Sequence, residues 1–378
     1  MNLLFNCSTN IVGGGLKNSA LFIKFAIDDP SINWHFAVSE PVYQLLQKWD
    51  LNLSENRLTV FKDSPARNKI ARKKLVQLSK DLKADLVYTM AGPAYVSFPC
   101  KHVMGISNPY ITHADWEAYR LKGSWFQTLR YFVYTSIQFL YTYKADFYVF
   151  QTQYAKQSFH KRSFIKNKKL FVVPNAYDNT LRDYFRENRQ FLEKENDTIK
   201  IFCPGASYVH KGLQFIPGII SELVKLTPKK FKFILTLPKD SDLWKQIENE
   251  LQQKDLMDYC TNVGSYIYTE LVFLLEDCDM VFVPSLLETF SASYLEAMCA
   301  GKKLIVAKKS FAEDICQDYA VYTNPTNFKE SASKISKVFD DLKLSKSEID
   351  LSNLILDQYG NQETRYYKLS GLIKTLSK

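Results

Sequence analysis

MVFVPSLLETFSASYLEAMCAG, residues 280–301, opens on four apolar residues closed by Pro284, continues with helical spacing and stops at Gly301. The opening reads as a strand buried on both faces, and the remainder reads as a loop and a helix with glycine at the stop. Seven residues separate Glu288 from Glu296. Glu288 falls in the loop after the strand and Glu296 inside the helix. The free N–H groups near Ser291–Ser293 would form an anion site, with carboxylates beside it to accept hydrogen bonds from sugar hydroxyls. Ser293-x-x-Glu296 also spells a capping box, in which the second glutamate would only satisfy a backbone donor.

Upstream, the same arrangement occurs again. Lys200–Pro204 reads as a strand ending at Gly205, and Lys211-Gly212 comes next at the start of a helical run. A lysine placed there can neutralise charge building up on a departing diphosphate. Short β-rich runs alternate with helical patterns along the whole chain. In the first half they are Leu3–Ser8, Trp34–Val38, Leu58–Lys62, Leu86–Met90, Val103–Ile106, Phe147–Gln151 and Phe171–Pro174. In the second they are Lys200–Pro204, Phe231–Leu237, Met280–Pro284, Leu304–Ala307 and Val321–Asn324. This is βαβ architecture written twice, an α/β chain with two doubly wound parallel sheets. The charged, strand-free stretch Asp183–Asp197 is expected to join the domains. The first would span 1–182 and the second 198–359, with a helix at about 360–378 packing back on the first. Ligands of such sheets bind beyond the carboxyl ends of the strands, so two facing domains imply a cleft.

With these residues in this order, the chain resembles the retaining glycosyltransferases of the GT-B fold, a large family with two Rossmann-like domains and a Glu-x7-Glu motif. The resemblance runs through Val173-Pro-Asn-Ala-Tyr-Asp178, Gly205 to Gly212, Val263-Gly-Ser-Tyr266, Val283-Pro-Ser285 and Glu288 to Gly301. It covers most of the second half and reaches the first half only in architecture. It implies that Glu288 contacts the hydroxyls of the donor sugar and Glu296 the nucleotide ribose. Backbone N–H groups of Phe290, Ser291 and Ala292 would meet the diphosphate, Lys211 would hold the same phosphates, and Ser265 and Tyr266 would lie against the base. It also implies a nucleotide-sugar donor, no metal or other cofactor, and retention of anomeric configuration, with the leaving phosphate helping to deprotonate the acceptor hydroxyl.

Two departures stand out. Where the family commonly has arginine just after the glycine corresponding to Gly205, this chain has Ala206, so that phosphate contact is either missing or supplied by Ser207, His210 or a residue elsewhere. Where the family often has a histidine after the strand Val103–Ile106, near the donor sugar, the chain reads Ser107-Asn108-Pro109, so either Asn108 takes a hydrogen-bonding role there, or His113 reaches in from the loop, or that function is dispensable. Gly13-Gly14-Gly15, after the first strand and before a helical pattern from Leu16, matches the family's glycine-rich loop. Gly14 and Gly15 would bring backbone close to the ligand, or simply form a turn.

The 378 residues, 46% hydrophobic and 24% charged with no low-complexity tract, exclude disordered and solenoid architectures and suit two domains with sizeable cores. Seven scattered cysteines without a C-x-x-C pair read as reduced thiols of a cytoplasmic protein, and the N-terminus reads as a strand, not a signal sequence. Five histidines lack metal-ligand spacing, and Asp277-Cys278-Asp279 precedes its strand, the wrong end for a metal-nucleotide site.

The net charge of +9 is uneven: residues 1–180 carry 23 Lys and Arg against 12 Asp and Glu. A basic first half is expected to meet an anionic membrane surface or a diphosphate-lipid, or else simply to be solvated. No nucleic-acid module accompanies it. Trp116 to Tyr143 mixes aromatic residues with Arg120, Lys122 and Arg130; it reads as an interfacial helix pair presenting Trp125, Phe126, Tyr131, Phe132 and Tyr134, or as buried helices of a large α/β domain. The expected role is sugar transfer to a glycan or polyprenyl-diphosphate-linked acceptor in bacterial surface polysaccharide synthesis, peripheral to the inner membrane. Alternatives are a nucleotide-sugar epimerase on the same fold and a non-catalytic partner subunit.

Overall fold

The computed structural model describes residues 1–51, 53–188 and 197–378. The chain divides into two compact units, Met1–Asn175 with Gln362–Lys378, and Ala176–Asn361.

The first unit is built on a seven-stranded sheet of β1 (Asn2–Cys7), β2 (Asn33–Ser39), β3 (Leu58–Phe61), β4 (Leu86–Thr89), β5 (Lys101–Ile106), β6 (Phe147–Phe150) and β7 (Leu170–Val172). Its order is β3-β2-β1-β4-β5-β6-β7, and every pairing is parallel. Parallel pairing forces helical crossovers onto both faces, so the central strands are apolar throughout instead of alternating. β1 buries Leu3, Leu4, Phe5 and Cys7 accordingly. Phe5 stacks on Phe22 of the helix Gly13–Ile27 at 4.4 Å between centroids.

The second unit repeats the plan with β8 (Thr198–Cys203), β9 (Lys230–Leu235), β10 (Cys260–Asn262), β11 (Met280–Val283), β12 (Lys303–Ala307) and β13 (Val321–Thr323). The order is β10-β9-β8-β11-β12-β13, again all parallel. In both sheets the order reverses beside the first strand, between β1 and β4 and between β8 and β11. Loops diverge at such a switch point and leave a crevice at the carboxyl ends of the two strands.

Three expectations need correction. β10, only three residues of Cys-Thr-Asn, is too short and too polar to show a period. The passage between units lies at Asn175–Ala176, ahead of the charged stretch at 183–197. That stretch begins inside a helix, Asn179–Glu187, which buries Leu181 and Phe185 and turns its charges outward; Arg182 pairs with Asp357 at 2.9 Å. Residues 189–196 of the expected junction lie outside the described residues. The third correction is at the glycines: the helix starts at Gly13, so Gly14 and Gly15 form its first turn instead of a loop before Leu16.

The C-terminal helix Gln362–Ser377 belongs to the first unit. Its Tyr366 packs on Phe22 at 5.2 Å, accepts from Trp34 Nε1 at 3.3 Å and donates to Asp29 Oδ2 at 2.8 Å. Among the described residues no helix is long and apolar enough to cross a membrane.

Candidate functional site

The second unit gathers its polar residues at the β8/β11 switch point. After β8 the chain passes Pro204 and turns at Gly205, whose N–H donates to Thr236 Oγ1 at 3.1 Å; a Cβ on Gly205 would stand 2.9 Å from Leu213 Cδ1. A short 3-10 turn, Val209–Lys211, then leads into Gly212 at φ 74°. A Cβ on Gly212 would overlap the Pro284 carbonyl oxygen, so only glycine lets this turn lie against the chain leaving β11. The α-helix begins later than the sequence pattern implies, at Ile216.

Leu286 N donates to His210 O at 2.8 Å, tying the two loops together. As a result, Lys211 Nζ and Glu288 Oε1 form an ion pair with both side chains mostly covered. Lysine carries three N–H donors, so a partner at Glu288 leaves donors for another anion. Glu288 and Ser291 are buried, and Phe290 packs against Tyr359 at 5.6 Å.

Next comes the helix Ala292–Cys299, with Ser291 as N-cap, no side-chain cap and no acidic residue in its first turn. Since Ser293 is already the second helical residue, the capping box suggested by Ser293-x-x-Glu296 does not form. The helix N-terminus keeps its positive end available to an anion. Glu296 lies one turn along and faces Tyr266: burial raises the Tyr266 phenol well above its ordinary range, and the Glu296 carboxylate adds to that. Tyr266 also packs against Phe202 of β8 at 6.2 Å. Ser265 and Ser207 are exposed in the loops after Gly264 and Gly205. Asp277 and Asp279 are engaged elsewhere: Asp277 takes the Lys200 ammonium at 2.7 Å and Asp279 Oδ2 the Lys200 backbone N–H at 2.7 Å, which fixes the entry to β8 and β11.

In the first unit the Gly13–Gly15 turn sits at the end of β1, again with no side-chain cap. Asn10, which the sequence did not single out, holds this turn. Its Nδ2 donates to Ser19 Oγ at 2.9 Å and to Met90 O at 3.0 Å, joining the β1 and β4 ends. Gly14 is exposed, and a Cβ on Gly15 would meet Asn10 and Ala91 at ordinary contact distance, so neither glycine is forced by packing. Asn108 caps the short helix Pro109–Thr112: its Oδ1 accepts from Tyr110 N at 3.0 Å, while its Nδ2 donates to Gln138 Oε1 at 3.2 Å. Both ends of that side chain already serve the local fold. His113 Nδ1 meets Thr112 Oγ1 at 2.7 Å and its ring lies against Tyr154.

Two parallel-sheet domains of this order define the GT-B fold, and solved structures of that type align along the full chain. The Anabaena protein HepE, solved with UDP and glucose, aligns with a TM-score of 0.71 and 17% identity, covering 99% of this chain and 100% of that one. Sucrose-phosphate synthase from Thermosynechococcus elongatus gives 0.71 and 15%, covering 99% and 98%. Residues 185–350, less than half of the chain, match the family described as glycosyl transferases group 1. A curated relative from Campylobacter jejuni, N,N'-diacetylbacillosaminyl-diphospho-undecaprenol alpha-1,3-N-acetylgalactosaminyltransferase, is 35% identical over 78 residues. That stretch is 20% of this chain and 21% of the relative.

Proposed function

We propose that this chain is a retaining glycosyltransferase that moves a sugar from a nucleotide-sugar donor to a polyprenyl-diphosphate-linked glycan at the inner face of a bacterial membrane. The observation that carries the reading is the Lys211–Glu288 ion pair beside the uncapped N-terminus of the helix Ala292–Cys299. The donor diphosphate lies at that helix end, where the N–H groups of Ser291 and Ala292 and the Lys211 ammonium neutralise it. Glu288 holds Lys211 in place and accepts from the sugar hydroxyls. Glu296 accepts from the ribose, and Tyr266 lines the base. As the bond from the anomeric carbon to the phosphate oxygen breaks, negative charge gathers where Lys211 stands. The departing phosphate takes the acceptor proton on the same face, which retains configuration. The first unit receives the acceptor.

Two resemblances support the choice of substrates. HepE was solved with UDP and glucose, and the Campylobacter relative acts on an undecaprenol diphosphate carrier. One observation favours a non-catalytic partner subunit instead: Ala206 is exposed at the position where the family commonly has an arginine.

Transfer from a panel of radiolabelled nucleotide sugars to short-chain polyprenyl-diphosphate glycans, with product configuration read by NMR, tests the proposal. A retained linkage supports it. Nucleotide binding without transfer selects the partner subunit. Sugar turnover that persists without any acceptor selects an epimerase.

A further inference from the structure

The helix Trp125–Thr142 is built inside out. Its buried positions are Thr128, Thr135, Gln138 and Thr142, all polar. These are satisfied inside the first unit: Thr135 Oγ1 meets Tyr119 Oη at 2.8 Å, Gln138 Nε2 donates to Tyr95 Oη at 2.8 Å, and Gln138 Oε1 accepts from Asn108. Phe139, Tyr131 and Tyr141 are half-buried, and the other apolar residues point the other way. Phe126, Leu129, Val133, Ile137 and Leu140 are all exposed and recur at spacings of three and four, one stripe along the helix. Trp125 and Phe126 at its start are each 71% exposed. A soluble surface helix normally shows the opposite pattern, and a contiguous exposed apolar stripe marks an interaction face.

Charge identifies the partner. Residues 118–145 contain no Asp or Glu, while Arg120, Arg130 and Lys144 are exposed around the stripe. Beyond the helix end, Phe164 is 97% exposed and its N–H donates to Tyr143 Oη at 3.3 Å, so a second aromatic tip adjoins the stripe. It sits among Lys161, Arg162, Lys166 and Lys168. A second copy packed through this face would bring these cations against their equivalents, with no carboxylate between residues 118 and 145 to offset them. An anionic bilayer supplies what the face lacks: hydrocarbon for the stripe and negative headgroups for the rim.

We infer that the outward stripe of the helix Trp125–Thr142, with Phe164, is a membrane-docking surface that seats in the interface of an anionic phospholipid bilayer. This deepens the proposed function by assigning the surface through which the first unit would reach a lipid-carried acceptor. Because Gln138 bonds Asn108 on the inner side, the docked helix directly supports the loop after β5.

Vesicle binding tests the inference without donor or acceptor, so it stands or falls apart from transfer. The full chain is titrated with phosphatidylcholine vesicles with and without 30–40% phosphatidylglycerol (about the charge density of a strongly anionic leaflet). Partition is read by co-sedimentation and by Trp fluorescence, since Trp116 and Trp125 are exposed whereas Trp34 and Trp244 are buried. Binding to the anionic vesicles with a blue shift is expected, falling about tenfold or more in Phe126→Ser/Leu140→Ser and in Arg130→Glu/Lys144→Glu. Unchanged melting temperatures would show that these exposed changes leave the fold intact. No binding to anionic vesicles, binding that both double variants retain in full, or a solution dimer that Phe126→Ser/Leu140→Ser dissociates would each overturn it.

Discussion

Lys211 and Glu288, which are 77 positions apart in the chain, form an ion pair across the loops that extend from neighbouring strands β8 and β11. Each group depends on the other. Glu288 is only 8% exposed, so removing Lys211 leaves a covered carboxylate without its counter-charge.

Glu288→Gln and Lys211→Ala are each expected to lower kcat at least about a hundredfold, since both act on positioning and on charge in the transition state. The double variant is expected to lose far less than the product of the two losses, because the residues act as a unit. Steady-state kinetics on the four proteins of the cycle checks this; near-normal kcat in either single variant would remove that residue from the site.

Gly212→Ala should damage the site without touching a reacting group. Its φ of 74° and the Pro284 carbonyl both resist a side chain, so the turn carrying Lys211 has to move away from β11. Loss of stability by about 1–3 kcal/mol is expected together with weaker donor binding. Chemical denaturation and nucleotide titration of the same variant report the two effects separately.

Stability should fall in mild acid because of His102. This side chain is buried in β5, with Nε2 against Thr89 Oγ1 at 2.8 Å, and burial lowers its pKa to about 4. Above the ordinary value near 6.5 the ring is neutral in both the folded and the unfolded chain. As pH falls from there towards about 4 the unfolded chain takes up the proton first, so stability declines, by up to roughly 1.4 kcal/mol per pH unit. Urea unfolding between pH 7 and 4 should show this slope, and His102→Asn should flatten it.

The return of the C-terminal helix rests largely on one aromatic side chain. Tyr366→Ala should cost about 3–5 kcal/mol by emptying a site between Phe22 and Trp34, whereas Tyr366→Phe, which loses only the bonds with Trp34 and Asp29, should cost about 0.5–1.5 kcal/mol. Thermal unfolding of both variants distinguishes packing from hydrogen bonding.

The sequence showed the two sheets well because parallel strands covered on both faces are continuous apolar runs, as in Met280–Val283 and in residues 304–307 of β12. It showed the Glu288–Gly301 segment because strand, loop and helix are directly consecutive there. It did not show β10, whose three residues carry no periodicity, nor the role of Asn10, a lone polar residue whose partners Ser19 and Met90 become neighbours only once β1 and β4 pair. The helix Trp125–Thr142 was ambiguous for a different reason. Composition does not reveal which face is buried, and here Thr and Gln face inward where aliphatic residues would be the ordinary choice. Tyr131, which only the interfacial reading placed outward, is half-buried against Tyr110 at 4.8 Å.

The most direct test of the central claim is the melting temperature of the purified protein with UDP, GDP, ADP, CMP or dTDP, each in large excess, run beside Lys211→Ala. At about a hundred times its dissociation constant a bound nucleotide adds about 2.7 kcal/mol. A donor site at Lys211 and Glu288 predicts a clear upward shift with one base, much reduced in the variant. No shift with any of the five, or a shift that Lys211→Ala keeps in full, would contradict it.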